Sequence, residues 1–429
     1  MEKMRRGFQH ALKLASIYAK ALAKWLAVSA VIGVLAGLVG SAFHIGVEAV
    51  THFRLSHPWV LYTLPAAGLA VVGIYRLLGV EGQNTNHILE EVQHGGGLSI
   101  RLLPAIFSAT VVTHLAGGSA GREGAALQMG GTIGYAAGKA LRLDESDLRI
   151  VTQVGMAALF AALFGTPLAA TVFVIMVASV GMLYHAAFIP CFLASLTAYG
   201  VSRLLGVEPT RFAVAAPALT AVMLLRVAGL AALCAGVSVL FCGCIHKAEH
   251  LLRRWFPNPW LRACCGGAAL LALTLALGTR DYNGAGMDVI TRAVEQGSAA
   301  PWAFLLKMIF TAVTLGAGFK GGEVVPSFFV GAAFGCVAGP LLGIPAGFAA
   351  AVGLTAVFCG AVNSPIASIF LAIELFGADG LLYFALACGL SYILSGYSGI
   401  YSSQRILYDK LKARAIDAHT NAYEEKAEN

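Results

Sequence analysis

Apolar residues in this chain come in long runs, cut at short intervals by glycine and proline. Runs at 25–50, 58–78, 213–245, 261–278 and 371–396 lie near or above the roughly 20 residues that a helix needs to cross a bilayer. Other apolar stretches are shorter and end at Gly or Pro. The pattern predicts an all-α, polytopic membrane protein of broken and tilted helices. Two of the interruptions stand out: Gly117-Gly118-Ser119-Ala120-Gly121-Arg122-Glu123-Gly124 and Gly318-Phe319-Lys320-Gly321-Gly322-Glu323-Val324-Val325-Pro326. Each follows one apolar run and opens another.

Loose backbone at membrane depth leaves N–H and C=O groups without water, at several kcal/mol each, so it persists only where it faces protein or a wet cavity. A helix that starts at such a break aims its free N–H groups into that space, where an anion is the natural guest. An intramembrane glutamate at the break is a functional candidate in its own right. These features point to transport of an anion.

Composition agrees with the membrane reading. The chain is 58% hydrophobic and 12% charged, with a mean hydropathy of +0.77, which excludes an ordinary soluble domain. Its 50 glycines predict close helix packing. The net charge of +7 collects at the ends. Lys3, Arg5, Arg6, Lys13, Lys20 and Lys24 precede the first run, and Arg405, Lys410, Lys412 and Arg414 follow the last. The positive-inside rule places both termini in the cytoplasm of a cell-membrane protein, so the charge reports topology and not a nucleic-acid partner. Residues 1–24 read as a cytoplasmic amphipathic helix against lipid. Nine cysteines include no Cys-x-x-Cys pair. The Cys242-Gly-Cys244-Ile-His246 cluster matches no zinc spacing and reads as buried thiols. No cofactor or metal is expected.

The chain also repeats itself. The glutamates of the two breaks are 200 positions apart, and Pro167-Leu168-Ala169-Ala170-Thr171 resembles Pro365-Ile366-Ala367-Ser368-Ile369. Two transmembrane repeats of inverted topology are expected at 25–203 and 213–404. A linker at 204–212 would join them, and a short tail at 405–429 carries no regulatory domain.

With these motifs in view, the chain resembles the CLC chloride channel and transporter family. Gly121-Arg122-Glu123-Gly124 with Gln128-Met129-Gly130-Gly131 is similar to that family's glutamate-bearing motif. Gly321-Gly322-Glu323-Val324-Val325-Pro326 is similar to its third motif, the two Pro-Leu/Ile-Ala segments to its repeat signature, and Tyr401 to its anion-lining tyrosine. The resemblance is greatest to the fluoride/proton antiporter branch. Gly82-Gln83-Asn84-Thr85-Asn86 stands where a serine-bearing loop is usual. Val174-Ile175-Met176-Val177 lacks the inner acid of chloride/proton exchangers; Val325, by contrast, departs from that branch, where a threonine is expected. The resemblance implies a homodimer with one pore per subunit and no enzymatic activity. Fluoride with proton is the implied cargo; a chloride channel or chloride/proton exchanger is the alternative.

The chemistry follows from residue type. A carboxylate in a dry pore competes with the permeating anion, because like charges do not share a small low-dielectric site. Protonated, Glu123 leaves the site with a proton; ionised, it plugs it. Glu123 is therefore the candidate gate and proton carrier. Asn84, Thr85, Asn86, Arg122, Gly124, Val324, Val325 and Tyr401 are the candidate anion-binding positions. Asn86 has a second reading as a helix N-cap, Glu323 one as a helix-end carboxylate held by backbone or Lys320, and Glu374 reads as packing or a buried polar contact. His87, His114 and His185 read as packing or interfacial residues. A remote rival is an intramembrane serine hydrolase, since Gly117-Gly118-Ser119-Ala120-Gly121 fits G-x-S-x-G with His114 nearby. That motif needs a preceding strand, whereas a helical pattern precedes it here.

Overall fold

A computed structural model describes residues 2–182, 184–412 and 414–421. The first half contains α1 (Glu2–Ser56), α2 (Leu64–Leu77), α3 (Thr85–His94), α4 (Leu102–Ala116), α5 (Glu123–Ala140), α6 (Glu145–Phe164), α7 (Pro167–Val177) and α8 (Phe188–Leu204). The second contains α9 (Ala221–Trp255), α10 (Pro259–Leu277), α11 (Met287–Glu295), α12 (Ala303–Gly316), α13 (Val324–Leu341), α14 (Ala346–Val362), α15 (Pro365–Phe376) and α16 (Leu381–Leu394). Among the described residues, seven helices are long and apolar enough to cross a membrane, and six more apolar helices are only 10–17 residues long. The chain is a multi-pass membrane protein of long and broken helices.

Glycine sets how closely these helices approach. A Cβ on Gly155 of α6 would lie 2.0 Å from the Gly130 carbonyl of α5, and one on Gly134 would lie 1.9 Å from the Val151 carbonyl. The second half repeats the arrangement: a Cβ on Gly353 of α14 would lie 2.2 Å from the Gly331 carbonyl of α13. Both pairs therefore pack backbone on backbone, as small residues allow in membrane helices. The proline-led helices repeat as well. Thr166 before α7 (φ −123°, ψ 71°) and Ser364 before α15 (φ −128°, ψ 73°) hold nearly the same conformation. Both lie outside the α region, which a following proline disfavours. The two helices pack together, and Glu374 of α15 accepts from the amides of Leu168 and Ala169, at 3.0 and 2.8 Å, at the start of α7. A carboxylate from one half thus caps a helix of the other, which is the polar contact expected of Glu374.

Three features differ from the sequence expectation. The amphipathic segment 1–24 and the first span form one unbroken helix, α1, since no glycine pair or proline interrupts residues 2–56. The second half turns helical only at Ala221, where Thr220 caps the Met223 amide; Pro209 and Pro217 keep the stretch before it extended. Finally, part of the short tail pairs as strands, which the sequence reading did not foresee. β1 (Ser179–Val180) pairs in parallel with β2 (Arg405–Tyr408), which pairs antiparallel with β3 (Ala415–His419). Arg405 grips Asp417 across this hairpin and holds its carboxyl below the usual carboxylate range.

Candidate anion site

The site forms where the two glycine breaks meet. The Gly121 amide donates to the Gly322 carbonyl at 2.7 Å, and the Gly322 amide returns the bond at 2.8 Å. This single antiparallel bridge satisfies backbone groups that would otherwise be stranded. It also brings the first turns of α5 and α13 together. No side chain fits at the crossing: a Cβ on Gly124 would lie 3.0 Å from the Gly321 carbonyl, and one on Gly321 2.4 Å from the Ala120 Cβ.

Glu123 opens α5 and is fully buried. Its Oε2 accepts from the Val325 amide at 3.2 Å, while Oε1 has no hydrogen-bond partner. Its carboxylate folds back over Gly121, whose Cβ, if present, would lie 2.1 Å from Oε2. Gly124, Val324 and Val325 sit beside it at the paired helix starts. The contribution of Val325 is its amide, and its side chain is buried.

A cavity of about 500 Å³ lies alongside. Asn84, Thr85, Asn86 and Tyr401 all line it, together with Gln128, Lys320 and Glu323. Asn84 caps α3 by accepting from the His87 amide at 3.3 Å. Thr85 Oγ1 accepts from Gln128 Nε2 at 3.2 Å. Asn86 is not the cap. It donates to Ser402 Oγ at 3.0 Å, and its Oδ1 accepts from the amide and hydroxyl of Ser403. Tyr401 Oη and Glu323 Oε2 are buried without partners. Both carboxylates lie within electrostatic reach of that phenol.

Arg122 departs from its expected place. Its side chain turns away from the cavity, with Nη1 2.9 Å from His44 Nδ1 and the guanidinium 5.8 Å from the Phe164 ring centre. No ion pair joins it to Glu123 among the described residues. Glu323 likewise makes no ion pair with Lys320, whose ammonium lies over the Tyr75 ring.

Sequence reading missed the residues that hold Tyr401 in place. Gln404, fully buried, donates to the Val177 and Val362 carbonyls at the ends of α7 and α14. Thr420 Oγ1 donates to the Tyr401 carbonyl at 2.5 Å. Asn363 donates to the Ser398 carbonyl and to Gln404 Oε1. These are isolated polar residues after or between apolar runs, and no periodicity marks them. The hydrolase pattern is accounted for differently. Ser119 Oγ pairs with Thr311 Oγ1 at 3.0 Å, and His114 Nδ1 faces the Thr110 carbonyl at 2.9 Å. The helix α4, not a strand, precedes them. Cys242 is buried, and His246 Nε2 faces the Gly399 carbonyl at 2.8 Å.

Comparison with known proteins follows the same line. The family model described as voltage gated chloride channel matches residues 67–396. A protein of Pseudomonas syringae pv. tomato named chloride/fluoride channel protein is 38% identical over 401 residues, covering 91% of this chain and 88% of that one. An H(+)/Cl(-) exchange transporter, ClcA, of Yersinia pestis bv. Antiqua is 27% identical over 82% of this chain and 80% of its own. Among solved structures, a CLC-type fluoride/proton antiporter superposes with a TM-score of 0.86 at 34% identity, covering 90% of this chain and 98% of that one. A slow cyanobacterial Cl-/H+ antiporter shares the fold, with a TM-score of 0.75 at 19% identity over 86% of this chain and 94% of that one. Helix pairing, the crossed glycine breaks and these relationships agree: the chain belongs to the voltage gated chloride channel family, the CLC anion channels and transporters.

Proposed function

We propose that this protein exports fluoride across the cell membrane in exchange for protons, with Glu123 as the gate and proton carrier. The observation that carries the reading is the set of buried, unpartnered groups at the site: Tyr401 Oη, Glu123 Oε1 and Glu323 Oε2. A buried donor left without an acceptor costs about 1–3 kcal/mol. A permeating anion supplies that acceptor to Tyr401, and a transferred proton neutralises the carboxylate. Fluoride is small and strongly hydrated, so its water has to be replaced by strong donors. The Asn84–Asn86 turn and Tyr401 put such donors around one cavity. The Val325 amide, now bound to Glu123, becomes available when the carboxylate leaves. In this scheme Gly124 and Val324 contribute backbone, and Arg122 acts indirectly. The similarity to a fluoride/proton antiporter and to a chloride/fluoride channel protein supports fluoride as cargo.

The protein works as a homodimer with one pathway per subunit, in contact with membrane lipid. Both termini face the cytoplasm, as the basic residues flanking the first and last runs favour. The test is efflux from proteoliposomes loaded with sodium fluoride or sodium chloride, with internal pH recorded. Fluoride should leave much faster than chloride and drive proton movement in the opposite direction. Equal or faster chloride efflux would replace this reading with a chloride channel or exchanger.

A further inference from the structure

Arg122 precedes the proposed gate, yet among the described residues its guanidinium makes no ion pair with Glu123 and turns to α1 instead. Its Nη1 lies 2.9 Å from His44 Nδ1 on α1, and His44 Nε2 lies 3.4 Å from Glu48 Oε2 one turn further along. A guanidinium carries donors only, so Nδ1 has to offer its lone pair. The imidazole proton then sits on Nε2 and faces Glu48. His44 is thereby held as the neutral tautomer, between a donor on one side and an acceptor on the other. Of the other titratable groups nearby, His114 on α4 lies within electrostatic reach of Arg122, while Glu323 at the head of α13 and Tyr401 lie within reach of Glu123. From α6, the Phe164 ring lies against the Arg122 guanidinium.

A half-buried guanidinium next to a buried carboxylate is attracted to it where the dielectric is low. Here it is diverted by the lone pair of His44 Nδ1 on α1. We propose that His44 is a positioning residue for exchange: it keeps Arg122 off the Glu123 carboxylate and so sets the pH range in which that carboxylate vacates the pore. The proposal rests on the reading of Glu123 as the gate. Its sign follows from electrostatics. An arginine released to Glu123 stabilises the ionised, plugging form, because an opposite charge nearby favours the charged state. Removing the lone pair should therefore push the onset of transport to lower pH. Protonation of His44 does the same in the native protein, because two N–H donors then face each other.

The experiment compares the native protein with His44→Leu and His44→Asn, full length, in proteoliposomes loaded with sodium fluoride. Turnover per folded molecule is followed from pH 4 to 8. His44→Leu removes the acceptor and should shift the midpoint of activation down by about one pH unit or more. His44→Asn retains a carbonyl acceptor for Arg122 and should keep the native midpoint. Superimposable profiles for all three, or equal shifts in both variants, would overturn the proposal. Glu123→Gln run alongside separates the levels. If its turnover still varies with pH as in the native protein, the gate reading itself fails. If its profile is flat while the His44 variants match the native protein, only the role of His44 falls.

Discussion

The Val325 amide donates to Glu123 Oε2 at 3.2 Å, across 202 positions of sequence. Through this bond the second half of the chain holds the proposed gate of the first. The hydrogen bond is charge-assisted only while the carboxylate is ionised, and such bonds are roughly twice as strong as neutral ones. Under the proposed function, protonation therefore loosens this bond as the carboxylate takes up its proton. Glu123→Gln keeps the shape and removes the proton site. Proton movement driven by a fluoride gradient should fall to the level of protein-free vesicles. Proton flux equal to that of the native protein would remove Glu123 from the mechanism.

Gly121 tests whether the resting position of the carboxylate matters. An added Cβ would lie 2.1 Å from Glu123 Oε2 and 3.1 Å from Pro326 Cδ. Gly121 does not adopt a positive φ, so alanine suits its backbone and only the side chain is displaced. Gly121→Ala should evict the carboxylate, so that fluoride leaks with fewer protons exchanged per anion. Overpacking should also cost about 1–3 kcal/mol, seen as a lower melting temperature. Native coupling in a folded Gly121→Ala protein would show that the gate works from another position.

Asn84 and Asn86 are two positions apart and should behave differently. Asn84 caps α3, so Asn84→Ala should lower stability by about 1 kcal/mol. Asn86 ties the α3 turn to Ser402 and Ser403, next to Tyr401. Asn86→Ala should free that segment and reduce the ratio of fluoride to chloride efflux. The assay is paired anion efflux with a melting curve for each variant. An unchanged ratio in Asn86→Ala would confine this residue to a structural tie.

Val325 carries the amide that meets the gate, but no hydroxyl. Val325→Thr changes shape very little and places a second donor beside Glu123. A buried hydroxyl is unfavourable without a partner, and the carboxylate or the passing anion is the partner available. Turnover normalised to folded protein should rise, or proton coupling should tighten. A melting temperature lowered by about 1–3 kcal/mol of lost stability, with turnover unchanged, would remove the Val325 side chain from the pathway.

The chain alone determined the membrane class and the doubled architecture, and it marked Glu123 as the candidate gate. Apolar runs of spanning length have no stable home in water, and a glutamate at a glycine break has few roles besides chemistry. Glu123, Asn84, Thr85 and Tyr401 were legible because each lies in a short motif. Only the tertiary structure decided which groups meet. The reciprocal bond between Gly121 and Gly322, the Glu374 cap on α7 and the tail that clamps Tyr401 all join residues far apart in sequence, and local pattern does not encode such pairings. Arg122 shows the limit most plainly. Its place beside Glu123 suggested an anion ligand, yet adjacent residues on a helix point in different directions, and packing against α1 turned its charge toward His44.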